Sequence, residues 1–208
     1  MQFRNRIDAG NQLAKKLSAY KNKKDVLILG IPRGGVEVAF AVAKSLHAEL
    51  SVVVIKKIGH PFNPELAIGA VSPDNYILDE DYKDREGYAK KAIKELNAEI
   101  KKRYNLYTEG KLPQLKNKIV IVADDGLATG HTMLAAIKYV KSKSPKKIIA
   151  AVPVAARDSY EKVKAIADEV VCLHVPIFFS AVGSFYKEFE QLEDDEVKAY
   201  LEEAKKYA

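Results

Sequence analysis

Ile119-Val-Ile-Val-Ala123-Asp124-Asp125-Gly126-Leu127-Ala128-Thr129-Gly130-His131-Thr132 is the stretch that decides how this chain folds. Its first five residues are apolar and four are β-branched, which suits a strand buried on both faces. Two acids follow, and then a small-residue loop opens a helix from about Thr132 to Lys141. In open α/β sheets, ligands gather at the carboxyl ends of the strands. Asp124 and Asp125 fall at such an end, and each can accept hydrogen bonds from vicinal hydroxyls. Backbone N–H groups of residues 126–132, with the Thr129 and Thr132 hydroxyls, form an anion cradle at a helix N-terminus. Gly130 lets the backbone approach a phosphate closely. The segment therefore suits a ribose and a phosphate together. The purely structural alternative is a helix capped by Thr129 or Thr132, with surface acids beside it.

Upstream, Asp25 to Gly30 reads as a buried strand and Ile31-Pro32-Arg33-Gly34-Gly35 as a loop. Val36 to Leu46 has helical spacing, and Leu50 to Ile55 is a second β-branched strand. This βαβ order predicts a parallel sheet. Residues 1–24 begin with a helix carrying Ile7, Leu13, Leu17 and Tyr20 on one face. Lys56 to Asp84 is expected to be irregular, because Pro61 and Pro64 forbid regular structure there. Within it, Ile68 to Val71 and Tyr76 to Leu78 are candidates for a small hairpin. Arg85 to about Tyr107 is a long charged helix with an Ile93, Leu96, Ile100 and Tyr104 stripe. Strands at Lys147 to Val152 and Glu169 to Leu173 flank a helix at Ser159 to Ala167, and a last helix spans Asp194 to Tyr207. The fold class predicted is α/β, a doubly wound parallel sheet in one domain, residues 1–208. Its core covers about 25–173, and residues 1–24 and 174–208 form a small hood.

With 208 residues, 48% hydrophobic and 30% charged, the chain is long enough to bury a real core. No apolar run approaches a membrane span, and the start has no apolar secretory region. A single cysteine, Cys172, excludes an internal disulfide framework and reads as a small apolar strand residue, consistent with a reducing cytoplasm. The net charge of +6 favours an anionic partner. Most lysines are interleaved with glutamate or apolar residues, as on solvated faces, and no basic-aromatic alternation marks a nucleic-acid surface. The loop is no Walker A motif, since no Gly-Lys-Ser/Thr follows, and no dinucleotide fingerprint is present.

Val120 to Ala123, Asp124-Asp125, Gly126-Leu127 and Ala128-Thr129-Gly130-His131-Thr132 together resemble the 5-phosphoribosyl-1-pyrophosphate (PRPP) signature of type I phosphoribosyltransferases. Every signature position is met. The resemblance implies transfer of 5-phosphoribosyl from PRPP to a nitrogenous base with release of pyrophosphate. Asp124 and Asp125 would contact the ribose hydroxyls, and Ala128 to Thr132 would hold the 5-phosphate. Pro32-Arg33-Gly34-Gly35 is similar to the family's pyrophosphate loop, where members can have a non-proline cis peptide, here in question between Arg33 and Gly34. Lys56 or Lys57, at the end of the second strand, is a candidate pyrophosphate contact or simply solvated. His60 to Glu65 resembles by position the loop that closes over PRPP. His60 itself is a possible general acid or a solvated histidine. Arg33, Asp124 and Asp125 are the expected catalytic residues. Mg²⁺ would come in on the substrate, with Asp124 and Asp125 as optional ligands and no dedicated cage.

Purine 6-oxo members can carry Asp where this chain has Ala128, which removes one possible general base. Phe178, Phe179, Phe185 and Tyr186 could stack on the acceptor base or pack the tail on the core. The tail, Ala181-Val-Gly-x-x-Tyr186-x-x-Phe189, is similar to predicted members without an assigned acceptor. Family resemblance also implies a homodimer in nucleotide metabolism, with PRPP and a nucleobase-like acceptor as partners and no membrane or nucleic acid. The alternative is a PRPP- or nucleotide-binding regulator of the same fold that does no chemistry and touches nucleic acid through its basic surface. A PRPP-synthetase-like enzyme is disfavoured, because the chain shows no second nucleotide-binding half.

Overall fold

The computed structural model describes residues 1–73, 75–78, 82 and 86–207, without the side chains of residues 64–67, 75, 77, 86 and 89. Helix α1 is Arg6–Lys16, followed by β1 (Val26–Gly30), α2 (Gly34–Leu46) and β2 (Glu49–Val52). Three further strands, β3 (Lys56–His60), β4 (Asn63–Ser72) and β5 (Asn75–Leu78), precede the long α3 (Glu86–Thr108). Then come β6 (Ile119–Ala123), α4 (His131–Ser142), β7 (Lys147–Val154), α5 (Arg157–Lys164), β8 (Glu169–His174) and α6 (Asp194–Ala204).

Five strands form one parallel sheet in the order β2-β1-β6-β7-β8. Chain order runs outward from β1 to β2 and then outward the other way from β6. The switch point therefore lies between β1 and β6, where an open sheet leaves its crevice. Both strands are buried at every residue, as their unbroken apolar runs require. Side chains alternate between two cores. Leu27, Leu29, Val120 and Val122 face Ile137 and Val140 of α4. Ile28, Ile121 and Ile149 face Leu13, Val38 and Val42 under α1 and α2.

The segment expected to be irregular is instead largely a second sheet, in which β3, β4 and β5 are antiparallel. The prolines stop less than expected. Pro61 sits in the turn between β3 and β4, and Pro64 falls where the register shifts, between the pairs His60↔Asn63 and Gly59↔Ala67. At a hairpin tip a missing N–H removes little pairing. The hairpin expected from Ile68–Val71 and Tyr76–Leu78 is present. Residues 79–81 and 83–85, which include the expected start of the long helix, lie outside the described residues. The second strand stops at Val52, short of Ile55. Val53 still donates to the Gly30 carbonyl at 3.1 Å, but the Val54 N–H turns to the Tyr104 hydroxyl at 3.1 Å. Lys56 and Lys57 therefore open β3 and do not end β2. Ile58, Ile68 and Val71 of this sheet pack with Ile100 and Tyr104 of α3 and with Val197 and Leu201 of α6.

The first residues meet the stretch that follows β8. Phe3 bridges Tyr186, with the Phe3 N–H donating to the Phe185 carbonyl at 2.8 Å and the Lys187 N–H to the Phe3 carbonyl at 2.9 Å. Among the described residues, no helix is long and apolar enough to cross a membrane.

Candidate active site

β1 and β6 end level, with Gly30 opposite Ala123, so the loops that follow them run side by side. The Ile31 N–H donates to the Ala123 carbonyl at 3.0 Å, which draws the Pro32–Gly35 loop across the start of the acid pair. The cis peptide in this loop joins Pro32 to Arg33, one residue earlier than the position raised by the family resemblance. Close approach explains both glycines. A Cβ on Gly34 would land on Asp125 Oδ2, and one on Gly35 would lie 2.8 Å from Asp124 Oδ1 and 2.9 Å from the Ala123 carbonyl. α2 begins at Gly34 with no side-chain cap, so its N-terminal dipole abuts the two carboxylates.

The two acids differ in their surroundings. Asp124 Oδ1 accepts the Asp125 N–H at 2.9 Å. Burial pushes the Asp124 carboxyl well above the usual carboxylate range, and the neighbouring Asp125 charge pushes it the same way. Burial also raises Asp125, while the Arg6 guanidinium opposes that rise. Arg6 Nε donates to Asp125 Oδ2 at 2.8 Å, and the Tyr186 hydroxyl donates to the Asp125 carbonyl at 2.6 Å.

The loop after the acids is fastened to the neighbouring strand. The Leu127 N–H donates to the Val154 carbonyl at 2.9 Å, and the Ala156 N–H returns to the Leu127 carbonyl at 2.8 Å. Ser159 Oγ donates to the Ala128 carbonyl at 2.6 Å. Gly130 has φ +76°, a left-handed conformation that glycine adopts without strain, and it stands at the N-cap of α4. No side chain caps that helix, so the Thr129 or Thr132 cap of the structural alternative is not formed. Its first N–H groups remain available to an anion. Ala128 and Thr129 are exposed, while His131 and Thr132 are half-buried.

Other expected site residues are spread around this crevice. Arg33 reaches Glu193, at the start of α6, at 3.2 Å. Lys56 pairs with Glu99 on α3, and Lys57 is exposed on the same strand. His60 packs against Phe62 and Tyr82, and Phe62 is exposed at the hairpin tip. The four tail aromatics divide. Tyr186 is buried against Phe3 and Phe189, and Phe179 stacks on Phe185, so these three pack the tail. Phe178 is 90% exposed, beside Ile177 at 88%. Ile177 and Phe179 face Ala128, Thr129, Arg157 and Lys162 across an open cleft of about 480 Å³. Cys172 lies in β8, its thiol pushed up to about 11 by burial. Among the described residues, no group of three or more His, Cys, Asp or Glu is placed to hold a metal.

Sequence reading missed Arg6, Glu37 and Ser159. Arg6 had a signal, because it stands on the buried face of α1 with Ala9, Gly10 and Leu13. A charge on an apolar stripe asks for a buried partner.

Residues 2–188 match the family described as the phosphoribosyl transferase domain. A protein of Mycobacterium tuberculosis strain H37Rv, Rv0571c, provisionally named a phosphoribosyl transferase, is 42% identical over 209 residues. The match takes in 97% of this chain and 47% of that protein, so the chain spans about half the length of this relative. The crystal structure of TT1426 from Thermus thermophilus is similar over 98% of this chain and 99% of that one, with 39% identity and a TM-score of 0.85. A hypoxanthine-guanine phosphoribosyltransferase from Bacillus anthracis shares the fold at 12% identity and a TM-score of 0.50, over 83% of this chain and 80% of that one. With its acid pair and glycine loop set at the switch point of such a sheet, the chain belongs to the phosphoribosyl transferase family and has the type I fold.

Proposed function

We propose that the chain transfers 5-phosphoribosyl from PRPP to a nitrogenous base, with release of pyrophosphate and dependence on Mg²⁺. One observation carries this reading: α2 and α4, neither capped by a side chain, follow the adjacent strands β1 and β6, and the two carboxylates at the end of β6 lie against the start of α2. A ribose on the acids would direct its 5-phosphate to residues 128–132 and its pyrophosphate to residues 33–35. The bond from C1 to the pyrophosphate oxygen breaks and takes its electron pair to the leaving group. The acceptor nitrogen supplies the new pair to C1, and its proton passes to water. Positive charge develops on the ring between these events, and a carboxylate below it stabilises that charge. Arg33 and Lys56 or Lys57 would meet the leaving group, Lys56 after parting from Glu99. When bound, Mg²⁺ would neutralise pyrophosphate charge, and two carboxylates beside substrate oxygens suit an ion that needs few protein ligands. The exposed Phe178, with Ile177 beside it, would meet the acceptor.

The test is a thermal-shift titration with PRPP and Mg²⁺, followed by a screen of purine and pyrimidine bases for nucleotide formation. Stabilisation lost in Asp124→Ala is the expected result, and no shift at millimolar PRPP would overturn the reading. A second reading, a PRPP- or nucleotide-binding regulator without catalysis, is favoured by Ala128, which leaves the loop without a carboxylate to take the acceptor's proton. It predicts PRPP binding with no product from any base, together with salt-sensitive nucleic-acid binding. The cytoplasmic compartment and the homodimer belong to the same proposal, and light scattering tests the latter.

A further inference from the structure

Arg6 is only 7% exposed, and a cation so buried must be paired. Its Nε holds Asp125 Oδ2, and its Nη1 donates to the Glu190 carbonyl at 2.7 Å. Glu37 of α2 stands 3.8 Å from Nη1, and the Phe189 ring lies 3.9 Å from the guanidinium carbon. One side chain thus joins the first helix, the tail, α2 and the acid pair.

The consequence falls unequally on the two acids. Asp125 is held at its carboxylate by Arg6 and at its carbonyl by Tyr186, with Gly34 against the same carboxylate oxygen that Arg6 holds. Asp124 spends one oxygen on a local turn, and among the described residues no ion pair reaches it. We infer that Arg6 is a positioning residue for the acid pair: it fastens Asp125 to the glycine loop and the tail, and the Asp125 N–H bond to Asp124 Oδ1 carries that placement to Asp124, so that one oxygen of each carboxylate is left for the donor's ribose hydroxyls. The inference rests on PRPP being the donor. Arg6 touches no reacting atom. It acts by fixing where Asp125, and through it Asp124 and Gly34, stand.

The experiment is calorimetric titration of the full chain with PRPP and Mg²⁺. The variants are Arg6→Gln, Arg6→Lys, Asp125→Asn and the double Arg6→Gln/Asp125→Asn, with Leu201→Ala as a control that weakens the core away from the crevice. Melting temperatures are recorded alongside. Arg6→Gln is expected to weaken PRPP about tenfold to a hundredfold, the range that follows from displacing a positioned group. The double variant should be no weaker than the worse single one, because both remove the same link. Arg6→Lys, which keeps the charge but loses the fork, should recover part of the affinity, and it replaces Arg6→Gln if the latter does not fold. Leu201→Ala should melt earlier yet bind PRPP as the parent does. Parental affinity in Arg6→Gln, or additive losses in the double variant, overturns the inference while leaving PRPP binding intact. A parent chain that does not bind PRPP overturns the functional reading itself, and this inference with it.

Discussion

At the amino ends of the parallel strands, Asp25 meets Lys146 at 2.8 Å, Glu169 meets Lys147 at 2.6 Å, and Lys118 faces Glu49 at 3.7 Å. At the carboxyl ends, Asp124 and Asp125 stand together, with Arg6 paired to Asp125. Hydrogen bonds from Lys146 hold the Asp25 carboxyl below its ordinary range, and Lys147 does the same for Glu169, with help from Tyr20. Burial drives Asp124 and Asp125 the opposite way. One edge of the sheet arranges its charges for its own stability. The other holds carboxylates in a place that disfavours them, which the fold tolerates only because the rest of the sheet is well packed. Such perturbed groups gather where ligands bind.

The largest break in this contrast should come from Gly35→Ala. The added Cβ would press on the Ala123 carbonyl and the Asp124 backbone, which cannot rotate away. Overpacking of this kind costs about 1–3 kcal/mol, and each kcal/mol lowers the melting temperature by about 2–4 °C in a chain of this size. The PRPP-induced thermal shift should vanish as well. An unchanged melting curve with full PRPP response would remove the close-approach argument.

Asp124→Asn sharpens the contrast through pH. The folded-state value of Asp124 lies above its ordinary 3.8. Burying its charge therefore costs stability as pH rises past that ordinary value, up to the folded value. The amide carries no charge to bury, so the variant should gain on the parent as pH rises from the ordinary 3.8 up to the folded value, while losing PRPP. Melting curves taken from acid to alkaline pH check it, and a gain that shrinks with rising pH contradicts the burial argument.

Ser159→Ala removes the bond to the Ala128 carbonyl and should cost about 1 kcal/mol. Its effect on PRPP should exceed its effect on stability, because the freed loop belongs to the 5-phosphate cradle. Equal affinity in parent and variant would show that the Leu127–Ala155 bridge alone fixes the loop.

At the opposite edge, Glu169→Gln should do least. Its pair with Lys147 is partly exposed, so screening leaves it below about 1 kcal/mol. The Glu169 value is lowered by folding, so its contribution is present above the ordinary carboxylate value and lost as pH falls through the folded one. The variant should therefore trail the parent at neutral pH and match it in acid, with PRPP affinity unchanged. Any loss of PRPP affinity would show that the two edges are not independent.

The buried strand β6 and its loop were legible because their information is local. Four β-branched residues, two acids and a positive-φ glycine fall in sequence order. The β3–β4 pair was not, because proline rules apply to paired interior positions and these prolines lie at a turn and a register shift. The Arg6–Asp125 link joins residues 119 apart. No periodicity encodes such a partner, and only the misplaced charge on the α1 stripe hinted at one.

The bridge between Phe3 and Tyr186 bears on how the protein is made. Synthesis proceeds at roughly 5–20 residues per second, so on the order of ten to forty seconds pass between the emergence of Arg6 and that of Glu190. During that interval the sheet up to β8 can assemble while Arg6 still lacks its tail acceptor and Asp125 its tyrosine. The crevice would take its final shape only when the tail arrives. A nascent chain paused before Tyr186 would hold a nearly complete sheet around an unlatched site.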